Sequence, residues 1–329
     1  MAGPTTAVLP MRYLTAAFYL FVDLPDCAQF KAPLQALCDA EQVKGLVLLA
    51  PEGINSTIAG PAQGVHVVLS WLREQAPFTQ LQHKESWSHK APFRRMRVRV
   101  KKEIVTMGVP DLRPASQAGR YVSAQDWNAL IADPDVLLVD TRNDYEVELG
   151  TFERAINPGI QSFAQLPDWL QAQGLLDPDK PRKVAMFCTG GIRCEKSTAL
   201  LRSKGLQEVY HLEGGILKYL ETVAPEVSRW QGECFVFDER VSVAHGVQIG
   251  NHQLCRCCRQ PLPPGGLQSI EFELGVSCPR CFSKTSEMQK KSARERQRQW
   301  ERAKAKAAVR EGEDGPIRHH EHAKITGHG

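Results

Sequence analysis

The sequence predicts a multidomain chain that joins an α+β domain to an α/β domain. Three observations carry that expectation. At 329 residues the chain exceeds what one hydrophobic core comfortably serves. Its apolar segments change character along the way, from a β-α-β-β-α-β run to an alternation of helices with short apolar strands. Beyond these come paired cysteines and then a run of basic residues. Hydrophobic residues at 42% and charged residues at 24% are ordinary globular values. The formal net charge of +4 excludes a strongly acidic protein and otherwise decides little until its placement is known.

Residues 1–12 offer no element and are expected to be disordered; Met1–Pro10 lack the basic start and apolar core of a secretory signal. The first domain, 13–110, opens with Thr15–Val22, apolar on both faces as a central strand would be. Cys27–Ala40 has helical spacing, Val43–Ala50 and Ser56–Ala59 read as strands around a turn, and Ala62–Gln75 is a second amphipathic helix. Leu81–Ser88 and Arg95–Val105 supply further strands. That order predicts a ferredoxin-like, acylphosphatase-like sandwich.

Asp111–Gly119 carries Pro, Ser and Gly and reads as a linker. Residues 120–230 alternate helices with the strands Val136–Val139, Val184–Phe187 and Glu208–His211, the pattern of a parallel sheet. A cysteine-rich segment follows at 233–283, then a tail at 284–329 with a charged helix over Lys284–Arg310 and disorder over Glu311–Gly329. The longest apolar runs are strand-sized, so no membrane span is expected. Ten cysteines without a signal point to reduced thiols, hence to cytoplasm.

Most chemistry is concentrated in Val184-Ala-Met-Phe187, Cys188-Thr-Gly-Gly-Ile-Arg193 and Cys194-Glu-Lys. This is a buried strand, a Gly-bearing loop and a helix start. It places the Cys188 thiol at the carboxyl edge of a parallel sheet, facing loop amides and a helix N-terminus. Such cysteines ionise readily. Thr189, Gly190, Gly191 and Ile192 form the loop, and Arg193 adds positive charge. Cys194 is either a resolving partner for oxidised Cys188 or a residue of the first helical turn. A phosphate-binding cysteine loop has the form C-x5-R, whereas Arg193 follows Cys188 as the shorter C-x4-R. The loop, an earlier Asp140-Thr-Arg142 after a strand, and a later Gly214-Gly215 turn occur in the order seen in rhodanese domains, which this region resembles. By that resemblance Cys188 carries a persulfide. Asp140 and Arg142 read as supports that fix a neighbouring loop.

Outside this domain, Phe93–Lys102 alternates Met96, Val98 and Val100 with Arg95, Arg97, Arg99 and Lys101, a strand with a basic outer face suited to a phosphate backbone. A solvated edge strand is the alternative. The tail adds Lys290, Lys291, Arg294, Arg296, Arg298, Arg302, Lys304, Lys306 and Arg310, suited to nonspecific nucleic-acid binding or to a solvated helix. Cys255-x-x-Cys258 and Cys278-x-x-Cys281 have the spacing of a zinc ribbon, with Cys257 and His252 as competing ligands. Four thiolates would leave the metal no open position, so its role would be structural.

Taken with Ala50-Pro-Glu-Gly-Ile-Asn55 and Val236-Phe-Asp-Glu-Arg240, the chain from Phe18 to Cys281 resembles the bacterial tRNA uridine hydroxylases that contain a rhodanese domain. The resemblance implies use of molecular oxygen to convert the wobble uridine in a tRNA anticodon loop to 5-hydroxyuridine. Residue spacing by itself suggests no oxygen chemistry, and there is no dinucleotide glycine fingerprint for a flavin or nicotinamide. A sulfur nucleophile in such a family suggests addition of Cys188 to C6 of uracil. A sulfurtransferase and a noncatalytic RNA-binding protein are the competing readings. Glu52, Asn55, Lys84 and the Arg95–Lys101 face are the candidates for holding RNA. One departure is Thr151, which follows Gly150 where some members of that family carry His.

Overall fold

The computed structural model describes residues 13–89, 91–177, 182–238 and 240–313, excluding the side chains of 304 and 306–313. The expected disorder at residues 1–12 lies outside them, as does all but 311–313 of the segment expected to be disordered at the C-terminus. The chain forms two compact units, Met1–Gly250 and Asn251–Gly329.

The first domain of the larger unit is a five-stranded sheet with helices on one face. Its strands are β1 (Tyr13–Phe21), β2 (Lys44–Ala50), β3 (Gly53–Gly60), β4 (Lys84–Ser88) and β5 (Met96–Val100), in the order β4-β1-β3-β2-β5. Leu14, Ala16 and Phe18 of β1 pack with Leu34 and Cys38 of α1 (Lys31–Ala40) and Val65, Val68 and Leu72 of α2 (Ala62–Glu74). The helix expected from Cys27 opens with a 3-10 turn, Cys27–Phe30, before α1. Strand β3 extends beyond the expected Ser56–Ala59 because it is central. It pairs along its length with both β1 and β2, so ladder bonds hold Gly53 and Asn55 as well as the β-formers. β5 runs parallel to β2 at the sheet edge and directs Val98 into the core, while Arg97 and Arg99 register with Leu46 and Leu48 on the opposite face.

A short helix, α3 (Pro114–Gln117), leads into the second domain. Its sheet is β6 (Arg120–Val122), β7 (Val136–Asp140), β9 (Lys183–Phe187) and β10 (Val209–Leu212), ordered β6-β10-β9-β7 and parallel throughout. One face packs against α4 (Ala124–Ala132) and α8 (Gly215–Thr222) through Trp127, Ile131, Ile216 and Tyr219. The other packs against α6 (Leu166–Ala172) and α7 (Ile192–Ser203) through Leu166, Leu170, Leu200 and Leu201. Burial on both faces explains the nearly continuous apolar strands. The one-turn helix α5 (Asp144–Val147) precedes β8 (Gly150–Phe152), which pairs with β11 (Trp230–Gly232).

The cysteine-rich segment expected to start at 233 starts at Asn251. The hairpin of β12 (Cys234–Phe235) and β13 (Ser242–Val243) buries Cys234, Val236 and Val243 in the second domain's core. The smaller unit holds the hairpin of β14 (Gln253–Leu254) and β15 (Pro261–Leu262) and the long helix α9 (Glu287–Glu313). No helix among the described residues is long and apolar enough to cross a membrane.

Candidate active site and cysteine cluster

Strand β9 ends at Phe187 and α7 begins at Ile192, so Cys188–Gly191 form the whole of the intervening loop. Gly191 caps α7 at φ 105°, and a side chain there would meet the Tyr19 hydroxyl at 2.6 Å. The Gly191 N–H donates to Cys188 Sγ at 3.1 Å. Burial pushes the Cys188 thiol up, but the Cys194 side chain, the Arg193 charge and the N–H groups of Cys194 and Gly191 overcome it, bringing the thiol down to about 5. Cys188 is a thiolate at neutral pH. Cys194 lies in the first turn of α7 and its thiol is pushed well above the ordinary range, by burial and then by the Cys188 thiolate beside it. Its partner on the other side is Thr141 Oγ1, at 3.5 Å.

The supports are buried. Arg193 makes a bidentate ion pair with Glu146, at 2.6 and 2.8 Å, and reaches Thr189 Oγ1 at 3.4 Å. Asp140 accepts from Arg142 Nε at 2.9 Å and from Thr151 Oγ1 at 2.9 Å, while Arg142 also donates to the Gly150 carbonyl at 2.6 Å. Asp140 and Arg142 thus brace the loop after β7, with Thr151 as a strut. Opposite, Ile216 and Leu217 at the N-terminus of α8 donate to the carbonyls of Cys188 and Thr189 at 2.9 and 3.1 Å. Gly215 permits this approach: a Cβ there would lie 2.5 Å from the Cys188 carbonyl oxygen. Gly190 has open space above it.

The first domain reaches this loop with residues that sequence reading missed or assigned to holding RNA. Tyr19 donates to Glu195 Oε1 at 2.7 Å. Tyr19, Phe21, Ala50, Ile104 and Val105 form an apolar seam with Ile192, the first residue of α7. Lys84, expected to hold RNA, extends its ammonium to the Gly214 carbonyl at 2.6 Å. The residue is exposed along its chain, yet loss of water around its ammonium end lowers its pKa. Glu52 and Asn55, also expected to hold RNA, are half-buried beside this seam. Glu52 accepts from Lys196 at 2.8 and 2.7 Å and from the Ile104 N–H at 2.7 Å, and Asn55 donates to the Ile104 carbonyl at 3.0 Å. Lys196, 1% exposed, also binds Glu103 at 2.5 Å and the Val105 carbonyl at 3.0 Å. It ties the active-site helix to the exit of the sheet. No local pattern signals such pairs.

Arg95, Arg99 and Lys101 are exposed and Arg97 half-buried, so the basic stripe faces solvent along the sheet edge. Several basic residues of the tail are neutralised within the smaller unit. Arg294 pairs with Glu273 at 2.7 and 2.6 Å, and the ammonium of Lys290, a buried residue, sits 3.7 Å from the Phe282 ring centre and 2.9 Å from Glu287. The side chains of Lys304, Lys306 and Arg310 lie outside the described residues.

In the smaller unit, one sulfur each from Cys255, Cys258, Cys278 and Cys281 gather within 4.8 Å of one another. Cys258–Cys278 and Cys278–Cys281 are 3.7 Å apart. Zinc–sulfur bonds of about 2.3 Å require tetrahedral edges of roughly 3.8 Å, so the spacing fits a metal and is far too long for disulfides. Cys257 and His252 are not among the four.

Two family models match the chain: the UPF0176 acylphosphatase like domain over residues 13–104 and the Rhodanese-like domain over residues 123–222. A protein of Albidiferax ferrireducens named tRNA uridine(34) hydroxylase is 66% identical over 303 residues, covering 92% of this chain and 95% of that one. Proteins of the same name from Acaryochloris marina and Agrobacterium fabrum are 55% and 53% identical, each over 92% of this chain and 96% and 97% of theirs.

Proposed function

This chain belongs to the tRNA uridine(34) hydroxylase family, and we propose that it hydroxylates C5 of the wobble uridine of tRNA, with the Cys188 thiolate as nucleophile and molecular oxygen as co-substrate. The observation that carries this reading is a buried sulfur held as thiolate by the Gly191 amide, Arg193 and the Cys194 thiol. Thiolate addition to C6 of uracil gives C5 enolate character, and an electron-rich C5 is the atom on which oxygen acts. Arg193 and Glu146 hold the loop, and Cys194 supplies the thiolate with a hydrogen-bond donor. The RNA partner is the anticodon loop, whose splayed bases suit a recessed site. Arg95, Arg97, Arg99 and Lys101 offer it a cationic edge. A tRNA substrate favours a cytoplasmic location. The four clustered cysteines suit structural zinc, which would hold the smaller unit together and leave the chemistry to Cys188.

The test is nucleoside mass spectrometry of tRNA from cells lacking the gene, complemented with wild type or C188S and grown with and without oxygen. The expected result is 5-hydroxyuridine derivatives only with wild type and only in air. Unchanged hydroxyuridine with altered thiolated nucleosides would replace this reading with a sulfurtransferase.

A further inference from the structure

Two carboxylates border the cysteine loop, and their surroundings drive them to opposite protonation behaviour. Burial acts to raise Glu146, but the bidentate Arg193 and then Arg142 hold it below the ordinary carboxylate range. Glu195, 9% exposed, has no such cation among the described residues: Arg193 is turned to Glu146, and the next residue, Lys196, is turned to Glu52 and Glu103. What faces Glu195 is the Tyr19 hydroxyl from β1 at 2.7 Å, the Tyr121 hydroxyl from β6, and the negative charge of Cys188. Lys84 from β4 lies beside the same loop, with its influence directed at Cys188. His211 of β10 lies under the Tyr121 ring, 4.2 Å between centres, and burial lowers it to about 4, so it is uncharged. Burial raises Glu195 to about 7 against both tyrosine hydroxyls, leaving it able to give and take a proton under working conditions.

We propose that Glu195 moves the C5 proton of the uracil ring, beside Cys188 and held in position by Tyr19. This rests on the Cys188 reading above. When the thiolate adds to C6, the S–C6 bond forms and the C5=C6 pair moves to C5 and the O4 enolate. The Glu195 carboxylic acid then delivers its proton to C5 and becomes a carboxylate. Reversal takes a proton from C5, returns the pair to C5=C6 and expels the thiolate. The same removal completes hydroxylation once one atom of molecular oxygen has become the C5 hydroxyl and the other has left as water, reduced by a two-electron thiol donor: C5 then gives its hydrogen to Glu195 as a proton, the double bond reforms and Cys188 leaves. The proton step itself needs no oxidant. Cys188 has no exposed surface, so the base enters by displacing side chains over the loop, including Lys84, anchored there to the Gly214 carbonyl.

The experiment uses the full chain and substrate tRNA in deuterated water without oxygen, following deuterium at C5 of uridine 34 by mass spectrometry. Wild type exchanges, C188S does not, and E195Q exchanges about a hundredfold more slowly, with unchanged melting. The cycle starts from the carboxylic acid, so exchange falls as pH rises through the Glu195 titration near 7. The Tyr19 hydroxyl favours the carboxylate, so in Y19F the fall moves to higher pH, a shift that mere loss of packing would not produce. Y19F also answers the question should E195Q unsettle the fold. Wild-type exchange in E195Q, or an unmoved midpoint in Y19F, overturns the proposal. Trapping by tRNA containing 5-fluorouridine separates the two levels. A covalent complex through Cys188 combined with normal E195Q exchange removes Glu195 alone, whereas no complex and no exchange remove the adduct with it.

Discussion

Cys188 and Cys278 are both fully buried, yet burial serves opposite ends at the two sites. At Cys188 the charge that opposes burial is fixed to the chain: a loop amide, a helix start, a guanidinium and a neighbouring thiol. Cys278 receives the N–H groups of Arg280 and Cys281, but its side-chain neighbours include other sulfurs, those of Cys258 and Cys281 at 3.7 Å. Four thiolates at that spacing repel one another unless a cation lies between them. A cysteine becomes reactive, then, not by exposure but by having its negative charge stabilised by groups that leave one lone pair free. One becomes structural when the stabilising charge is an ion that occupies every lone pair offered to it.

With zinc held by the four cysteines as proposed, the largest effect expected from this contrast is removal of that metal. Structural zinc contributes about 10–16 kcal/mol of apparent binding free energy that is also folding free energy. A strong chelator should release zinc from the purified chain and abolish hydrogen-exchange protection around Cys255–Cys281. The ultraviolet absorbance of the Cys188 thiolate should remain. Retention of full protection after metal removal would show that the cluster is held by packing, and the contrast would fail.

The next effect crosses the two sites. C188S should reduce hydroxylation by at least about a thousandfold, since removing a nucleophile leaves only what binding and positioning supply. Its melting temperature should stay near that of wild type, because Ser replaces one small buried side chain with another. C278S should do the reverse, lowering the stability of the smaller unit while the Cys188 thiolate still titrates normally. Equal losses of activity without unfolding in both variants would mean that the cluster takes part in the chemistry.

Both cysteine sites were legible in the sequence because each is local. A strand, a loop and a helix start set the geometry around Cys188, and two short knuckles set the cluster. What distant elements bring to the Cys188 loop was not legible. Tyr19 and Glu195 are 176 positions apart, and Lys196 and Glu52 are 144 apart. Periodicity reports which face of an element is buried, but not which distant element covers it. Glu52 and Asn55 therefore read as surface groups near a basic strand, although Lys196 and the backbone of Ile104 claim them. The pairing of the tail was not legible for a related reason. A run of basic residues looks like a free surface until acceptors from elsewhere, such as Glu273 for Arg294, are brought to it. The segment expected from 233 is divided between the two compact units at Gly250, because Cys234, Val236 and Val243 pack into the second domain's core, a contact that no local pattern reports.

The smallest predicted effect concerns the one neighbour of Cys188 that the sequence left ambiguous. Cys194 is held as a neutral thiol by burial and by the adjacent thiolate, so it donates to Cys188 and does not share its charge. A hydrogen bond to a charged group contributes about 1.5–3 kcal/mol, which corresponds to roughly 1–2 pKa units on the acceptor. In C194A the Cys188 titration, followed by thiolate absorbance against a C188S blank, should move upward by that amount from about 5. The sign follows from the donor: it stabilises the thiolate alone, so its loss favours the protonated form and narrows the acid range over which Cys188 stays ionised. C194S, which keeps a donor, should shift less. A midpoint unmoved in C194A would assign the low value to Gly191 and Arg193. Cys194 would then be left to the resolving role, visible as a Cys188–Cys194 disulfide after mild oxidation.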